Sequence, residues 1–183
     1  INSPSENKLE ALYNALTSRL GTRVYAEGKQ SLEEVVIKNS NSKRLTISIA
    51  ESCTGGLIGH RLTEVSGSSK AFKGGIIVYS NQAKMKLLDI KESTLDSHGA
   101  VSEETAKSMA ENVRKKFNTD YGLAVTGIAG PTGGTKDKPV GTVYIGMAKE
   151  NHAEAKRYNF GNNRKNNKLR TSQVALNWLR LSL

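Results

Sequence analysis

Residues 46–56, which read TISIAESCTGG, combine a short strand, a turn of small polar residues and the start of a helix. The β-branched side chains of Ile47 and Ile49 are typical of a strand. The strand ends at ESCTGG (residues 51–56), and apolar residues at three- to four-residue spacing then predict a helix to about Val65. Such a unit can direct backbone N–H groups and a hydroxyl at an anion or a reacting carbonyl, although an ordinary capped loop has the same pattern.

The composition indicates a basic, globular chain. Its 183 residues suffice for one domain, and 27 Lys and Arg against 17 Asp and Glu give a net charge of +10. This excess favours anionic partners such as phosphorylated small molecules, although solubility alone also explains it. Aromatic residues make up only 5% of the chain, which leaves few platforms for stacking bases, so we do not predict a nucleic-acid partner.

The single cysteine, Cys53, excludes a disulfide within the chain and favours a reducing, cytoplasmic compartment. We interpret Cys53 as a small packing residue rather than a catalytic thiol. We see no signal-peptide pattern and therefore expect none. The sequence has no apolar run of about 18 residues, so no membrane span is predicted. Because it begins at Ile1 rather than Met, we expect a processed chain or a piece of a longer protein.

Predicted helices and strands follow one another in a mixed order. The first 20 residues carry a helical leucine stripe, residues 22–25 could form a short strand, and Ser31 with Glu34 resembles a capping box. Further strands are predicted at residues 74–79, 121–126, 140–149 and 153–160, with helices from residues 81, 102 and 164. This order predicts an α/β fold, a mixed-sheet α/β sandwich of two or three layers with helices packed on the sheet. We expect an N-terminal helical extension or linker at residues 1–42 and one domain at residues 43–183.

Three predicted strands end in residues that can carry chemistry, at Ser52, at Tyr79 and at Thr126. Crevices in open α/β sheets lie beyond the carboxyl ends of the strands, so we expect these residues to meet. A serine nucleophile needs a base. Lys84 lies in the first turn of a helix, whose N-terminus disfavours a cation, and is therefore the candidate base for Ser52. Tyr79 could relay a proton or hold Lys84, and the alternative is that Lys84 is simply an exposed helix residue.

The sequence offers no metal or cofactor motif. One cysteine and three scattered histidines lack zinc-ligand spacing, so no metal site is predicted. The glycine-rich loops match neither the P-loop nor the dinucleotide-binding fingerprint, so no organic cofactor is predicted either.

Four motifs resemble the CinA C-terminal domain family, the family of PncC-type nicotinamide-mononucleotide deamidases. They are AESCTGG (residues 50–56), YSNQAK (79–84), GAVS (99–102) and AVTGIAGPTGGTKDKPVGTVYIG (124–146), and the resemblance covers about residues 45–181. It implies hydrolysis of the carboxamide of nicotinamide mononucleotide to nicotinic acid mononucleotide and ammonia, with no metal or organic cofactor. It also implies self-association as a homo-oligomer.

The resemblance places the family's nucleophile on Ser52, its lysine base on Lys84 and its tyrosine on Tyr79. Its arginine falls on Arg164, as a phosphate clamp, although Asn163 here replaces the acid that precedes that arginine in the family. The predicted substrate-binding residues are Gly55, Gly56, Ser69, Asn81, Thr126, Gly127 and Arg164.

Two other functions fit the same sequence. The chain could be a binding module that serves competence or DNA-repair proteins through its basic surface, or a non-catalytic oligomerisation domain of a multidomain CinA protein. The complete set of Ser52, Tyr79 and Lys84 favours the amidase, because a binding domain would be free to lose it.

Overall fold

A five-stranded mixed sheet with helices on both faces organises the part of the chain that the computed structural model describes, residues 4–161 and 163–183. The helices are α1 (Pro4–Leu20), α2 (Leu32–Lys43), α3 (Leu57–Thr63), α4 (Asn81–Leu88), α5 (Glu92–His98), α6 (Glu103–Phe117) and α7 (Arg164–Ser182). The strands are β1 (Ile47–Glu51), β2 (Phe72–Ile77), β3 (Tyr121–Gly127), β4 (Thr142–Lys149) and β5 (His152–Asn159). The sheet order is β2-β1-β3-β4-β5; β1 is parallel to β2 and β3, while β4 and β5 are antiparallel to their neighbours. The predicted mixed sheet is thus confirmed.

Alternation along the strands separates two cores and produces three layers. Ile47 and Ile49 of β1 face the larger of the two cores, called the main core below, which they share with apolar residues of α2, α3 and α7. Ala50 of the same strand faces the other core, which is closed by α4, α5 and α6. In β4, Val143 and Ile145 face the main core, as their alternate spacing predicts.

Two glycines let α6 lie directly on the sheet. A Cβ on Gly122 of β3 would lie 2.1 Å from the carbonyl oxygen of Ala110, and one on Gly146 of β4 would lie 2.2 Å from that of Ala106. Any side chain at these positions would therefore push α6 away from the sheet.

The prediction of a strand at residues 22–25 is wrong. The chain forms a 3₁₀ turn at Gly21–Arg23, because none of the strands formed by the described residues lies beside this segment to supply hydrogen bonds. The capping box before α2 is confirmed: Ser31 accepts a hydrogen bond from the Glu34 N–H, and the Glu34 carboxylate accepts one from the Ser31 N–H.

Helix α2 contributes to the main core although it precedes the predicted domain boundary at residues 42 and 43. Its residues Leu32, Val36 and Ile37 are buried there together with residues of α7. The packed unit therefore extends to α2. Across the described residues, no helix is both long and apolar enough to cross a lipid bilayer.

Candidate functional site

The candidate site lies where β1, β2 and β3 end, at one edge of the sheet. Ser52 follows the last residue of β1, and its N–H donates a hydrogen bond to the carbonyl oxygen of Val125 in β3 at 3.0 Å. The Val78 N–H donates to the Glu51 carbonyl oxygen at 2.8 Å, which extends β2 alongside the turn. Three neighbouring backbones therefore fix the position of Ser52, which is buried.

The Ser52 hydroxyl and the Lys84 amine are in direct contact. Lys84 Nζ lies 3.1 Å from Ser52 Oγ and donates a second hydrogen bond to the Val78 carbonyl oxygen at 2.9 Å. The Lys84 side chain is 1% exposed, so the alternative that it is a solvated helix residue is wrong. Helix α4 presents it from its first turn, after Ser80 caps the helix by accepting from the Ala83 N–H.

Burial lowers the pKa of Lys84 below the ordinary lysine value, because desolvation disfavours the ammonium form. None of the ion pairs formed by the described residues includes Lys84. A neutral Lys84 can accept the Ser52 proton through the hydrogen bond that already joins them, which gives the pair the geometry of a nucleophile and its base.

Cys53 points away from this chemistry. Its side chain belongs to the main core, and burial raises the pKa of its thiol to about 12. The thiolate is the reactive form of cysteine, so a thiol held protonated in this way is a poor nucleophile at neutral pH.

Glu51 holds the turn in place, a role that the sequence reasoning missed. Its buried carboxylate accepts hydrogen bonds from the N–H groups of Gly56 at 3.0 Å, Ile58 at 3.1 Å and Gly59 at 2.8 Å. An acidic residue just before a helix is a known sign of such capping. Because Glu51 occupies these donors, the N-terminus of α3 is not an open anion site.

The two glycines that were predicted to bind substrate already use their N–H groups within the turn. The Gly56 N–H is taken by Glu51, and the Gly55 N–H donates to the Ser52 carbonyl oxygen at 3.2 Å. Both glycines have positive φ, +61° and +94° respectively, which fits the tight turn. The N–H groups of Cys53 and Thr54 donate to no other residue in the described part of the chain.

We expect Glu51→Ala to lower the free energy of unfolding by about 2–4 kcal/mol, because one buried and two partly buried N–H groups lose their acceptor. Urea unfolding followed by circular dichroism measures the change. Glu64→Ala is the matched control: Glu64 is exposed at the far end of α3, and its loss should change stability by less than about 0.5 kcal/mol. Equal stability of Glu51→Ala and wild type would contradict the capping role.

Arg164 joins the end of β2 to the glycine-rich loop after β3. Its Nη2 donates to the Tyr79 hydroxyl at 2.9 Å and its Nη1 to the Gly130 carbonyl oxygen at 2.8 Å. Tyr79 therefore contacts Arg164 rather than Lys84, and it is 61% exposed at the mouth of the site. Asn81 begins α4 one turn before Lys84 and is also exposed.

Thr126 and Gly127 form the end of β3. The Thr126 hydroxyl donates to the Ala100 carbonyl oxygen at 2.7 Å and thereby links β3 to the segment before α6. A Cβ on Gly127 would lie 2.7 Å from Val143 Cγ2, so this glycine permits close packing on β4. Any contact of these two residues with a substrate remains a prediction.

Ser69 lies at the other end of the sheet. It belongs to a 3₁₀ turn that precedes β2, whereas Ser52 follows the carboxyl end of β1, which is parallel to β2. A strand advances about 3.3 Å per residue, so roughly 15 Å of sheet separates the two serines. One chain by itself does not bring Ser69 to the site beside Ser52, and its contact with substrate stays a prediction.

The described histidine, cysteine, aspartate and glutamate residues form no group of three that could hold a metal ion. What the site provides is a hydroxyl, an amine, two backbone N–H groups and the Arg164 guanidinium. These groups are suited to nucleophilic attack on a carbonyl carbon.

Fold and site together define a three-layer α/β domain with a buried serine–lysine pair at the carboxyl edge of its parallel strands. The chain belongs to the CinA C-terminal domain family, whose model matches residues 29–183. The family resemblance seen in the sequence motifs is thus confirmed.

Named relatives agree with this assignment. A putative competence-damage inducible protein of Thermoanaerobacter pseudethanolicus is 46% identical over 172 residues, which cover 94% of this chain and 42% of that protein. One of Alkaliphilus metalliredigens is 48% identical over 181 residues, covering 99% and 44%. The chain therefore spans less than half the length of these curated relatives.

Solved structures share the fold. The competence/damage inducible protein CihA from Agrobacterium tumefaciens superimposes with a TM-score of 0.78 at 37% identity, covering 84% of this chain and 96% of that one. The competence damage-inducible protein A from Klebsiella pneumoniae gives a TM-score of 0.79 at 29% identity, covering 82% and 93%.

Proposed function

We propose that this chain hydrolyses the carboxamide of nicotinamide mononucleotide to nicotinic acid mononucleotide and ammonia. The observation that carries the proposal is the 3.1 Å contact between Lys84 Nζ and Ser52 Oγ, made by a lysine that is 1% exposed. Desolvation lowers the pKa of this lysine and so favours the neutral amine, the form that can act as the base for a serine nucleophile.

In the first half-reaction, neutral Lys84 takes the proton of Ser52 Oγ as that oxygen attacks the carboxamide carbon. The carbonyl oxygen becomes an oxyanion, for which the N–H groups of Cys53 and Thr54 are the proposed donors; one such donor is typically worth about 3 kcal/mol. The C–N bond then breaks, and the Lys84 ammonium returns its proton to the departing nitrogen, which leaves as ammonia.

The second half-reaction restores the protein. Neutral Lys84 takes a proton from a water molecule that attacks the ester on Ser52, and the acyl–oxygen bond breaks. Ser52 regains its proton from Lys84, and nicotinic acid mononucleotide departs. The sum consumes one amide and one water and produces one acid and one ammonia, with no cofactor.

The products distinguish this reaction from cleavage of the glycosidic bond. Wild-type protein is incubated with nicotinamide mononucleotide, and the mixture is resolved by liquid chromatography with a coupled ammonia assay. We expect ammonia and nicotinic acid mononucleotide in equal amounts. Nicotinamide with ribose 5-phosphate, or no conversion of the substrate, would contradict the proposal.

The pH dependence follows from Lys84. Since only the neutral amine can act as a base, kcat/KM should rise tenfold per pH unit while Lys84 is protonated, and level off below the ordinary lysine pKa of 10.5. The unfolded chain holds this proton more tightly than the folded one, so the same group makes stability rise with pH between the two pKa values. Rates measured from pH 6 to pH 10 test this, and a rate that falls or stays constant over that range would contradict it.

A second candidate function is oligomerisation, either in addition to the amidase activity or in its place. Helix α1 favours it, because this helix leaves large apolar side chains exposed, among them Leu9 at 73% and Leu12 at 60%. Exposed apolar faces of this kind are typical of protein contacts. Light scattering on the wild-type chain and on the double variant Leu9→Glu/Leu12→Glu measures the molecular mass of each in solution. A lower mass for the double variant supports a contact through α1, and a monomeric mass for the wild type contradicts oligomerisation.

A further inference from the structure

Helix α7 brings a second cation to the site beside Arg164. Lys168 follows Arg164 by four residues, which places both on the same side of the helix. The Nζ of Lys168 lies 3.7 Å from the position that a Cβ on Gly55 would take. Its charge acts on Cys53, where it lowers the thiol pKa against the larger effect of burial. The Lys168 ammonium therefore lies against the turn that carries Ser52.

These two cations have no acidic partner in the described part of the chain. The ion pairs there include Arg61 with Glu33 and Lys107 with Glu103, but none of them involves Arg164 or Lys168. The two known hydrogen bonds of Arg164 go to neutral oxygens, of Tyr79 and Gly130. The region beside Ser52 thus carries two positive charges that a ligand can neutralise.

The surroundings strengthen this positive field. Both residues lie near the N-terminus of α7, a helix of 19 residues whose dipole adds positive potential there. The nearest carboxylate in sequence, Glu51, accepts hydrogen bonds from the N–H groups of Gly56, Ile58 and Gly59 at the start of α3. Lys168 is half-buried, whereas its neighbour Lys165 is exposed.

We propose that Lys168 adds a second cation to the phosphate site that the family resemblance assigns to Arg164, and that Lys168 thereby selects phosphorylated over unphosphorylated nicotinamide compounds. This inference rests on the proposed amidase function for its kinetic readout. It makes Lys168 a specificity-determining residue, since a phosphate dianion gains two charge-assisted contacts that a free hydroxyl cannot match.

The kinetic test compares nicotinamide mononucleotide with nicotinamide riboside, which lacks the phosphate. For Lys168→Ala we expect kcat/KM with the mononucleotide to fall about 10- to 100-fold, chiefly through KM, and kcat/KM with the riboside to stay within about twofold. Lys168→Arg should restore most of the loss, and Lys165→Ala is the matched control that leaves both substrates unchanged. An unchanged mononucleotide value, or an equal fall for both substrates, would overturn the assignment.

A binding measurement separates this proposal from the amidase. Titration calorimetry with inorganic phosphate, which needs no turnover, should show binding to wild type and to Lys165→Ala and at least about tenfold weaker binding to Lys168→Ala. If wild type binds phosphate in this way but releases no ammonia, the amidase fails and the subsite stands. If wild type and Lys168→Ala bind phosphate equally, or neither binds it, the subsite fails whatever the chemistry.

Discussion

Replacement of Ser52 by alanine is expected to lower kcat for nicotinamide mononucleotide by at least about 10⁴-fold, because the substitution removes the oxygen that would form the covalent bond. The fold should survive, since the change deletes one hydroxyl whose hydrogen-bond partner, Lys84 Nζ, keeps its second contact with the Val78 carbonyl oxygen. Ammonia release measures the rate, and thermal unfolding verifies that the variant is folded.

The adjacent residue provides the control. Cys53→Ala removes a nucleophilic atom one position away, but this thiol is buried in the main core and its pKa is raised to about 12. Its turnover should therefore remain within about threefold of wild type. Loss of activity in Cys53→Ala with full activity in Ser52→Ala would identify the thiol as the nucleophile and overturn the mechanism.

Replacement of Lys84 by methionine should lower kcat by about 10³-fold with little change in stability. Methionine retains an unbranched apolar stem in the buried site but has no amine to accept the Ser52 proton. The substitution raises the stability of the folded state because an amine no longer has to be desolvated. It lowers the stability because the Val78 carbonyl oxygen loses its hydrogen-bond donor. Since these effects oppose each other, the free energy of unfolding should change by no more than about 1 kcal/mol.

Lys86→Met is the control for this variant, because Lys86 lies on the same helix and is exposed. It should keep the wild-type rate and its rise with pH. The residual activity of Lys84→Met should lose that pH dependence. If Lys84→Met retains the wild-type rate, or a residual rate with the wild-type pH profile, Lys84 is not the base.

The parts of the fold that depend on local patterns could be predicted from the sequence. The alternation in β4 indicates the correct buried face, the capping box at Ser31 is present, and helices begin within one residue of positions 81, 102 and 164 as predicted. Residues 22–25 show where local preference fails, because a strand needs a neighbouring strand and nothing in the segment itself reveals that none is present. The short helix α5 (Glu92–His98) was not predicted, since its one buried residue gives no apolar stripe.

The site was partly predictable for a related reason. Ser52 and Lys84 are 32 residues apart in the sequence, but each follows a strand that ends at the same edge of the sheet, so the strand-end rule unites them. The same rule shows why Ser69 does not join them in one chain, because it precedes β2 instead of following it. Glu51 could have been found from its place just before a helix. The approach of Lys168 to Gly55 is a contact between residues distant in sequence, which no local pattern indicates.

The central claim is that Ser52 is the nucleophile of a nicotinamide-mononucleotide amidase. The measurement that tests it most directly is ammonia release from that substrate by equal amounts of folded wild-type and Ser52→Ala protein, assayed side by side. We expect release that is proportional to protein concentration for wild type and indistinguishable from the protein-free background for Ser52→Ala. Equal rates for the two proteins, or a wild-type rate at background, would contradict the claim.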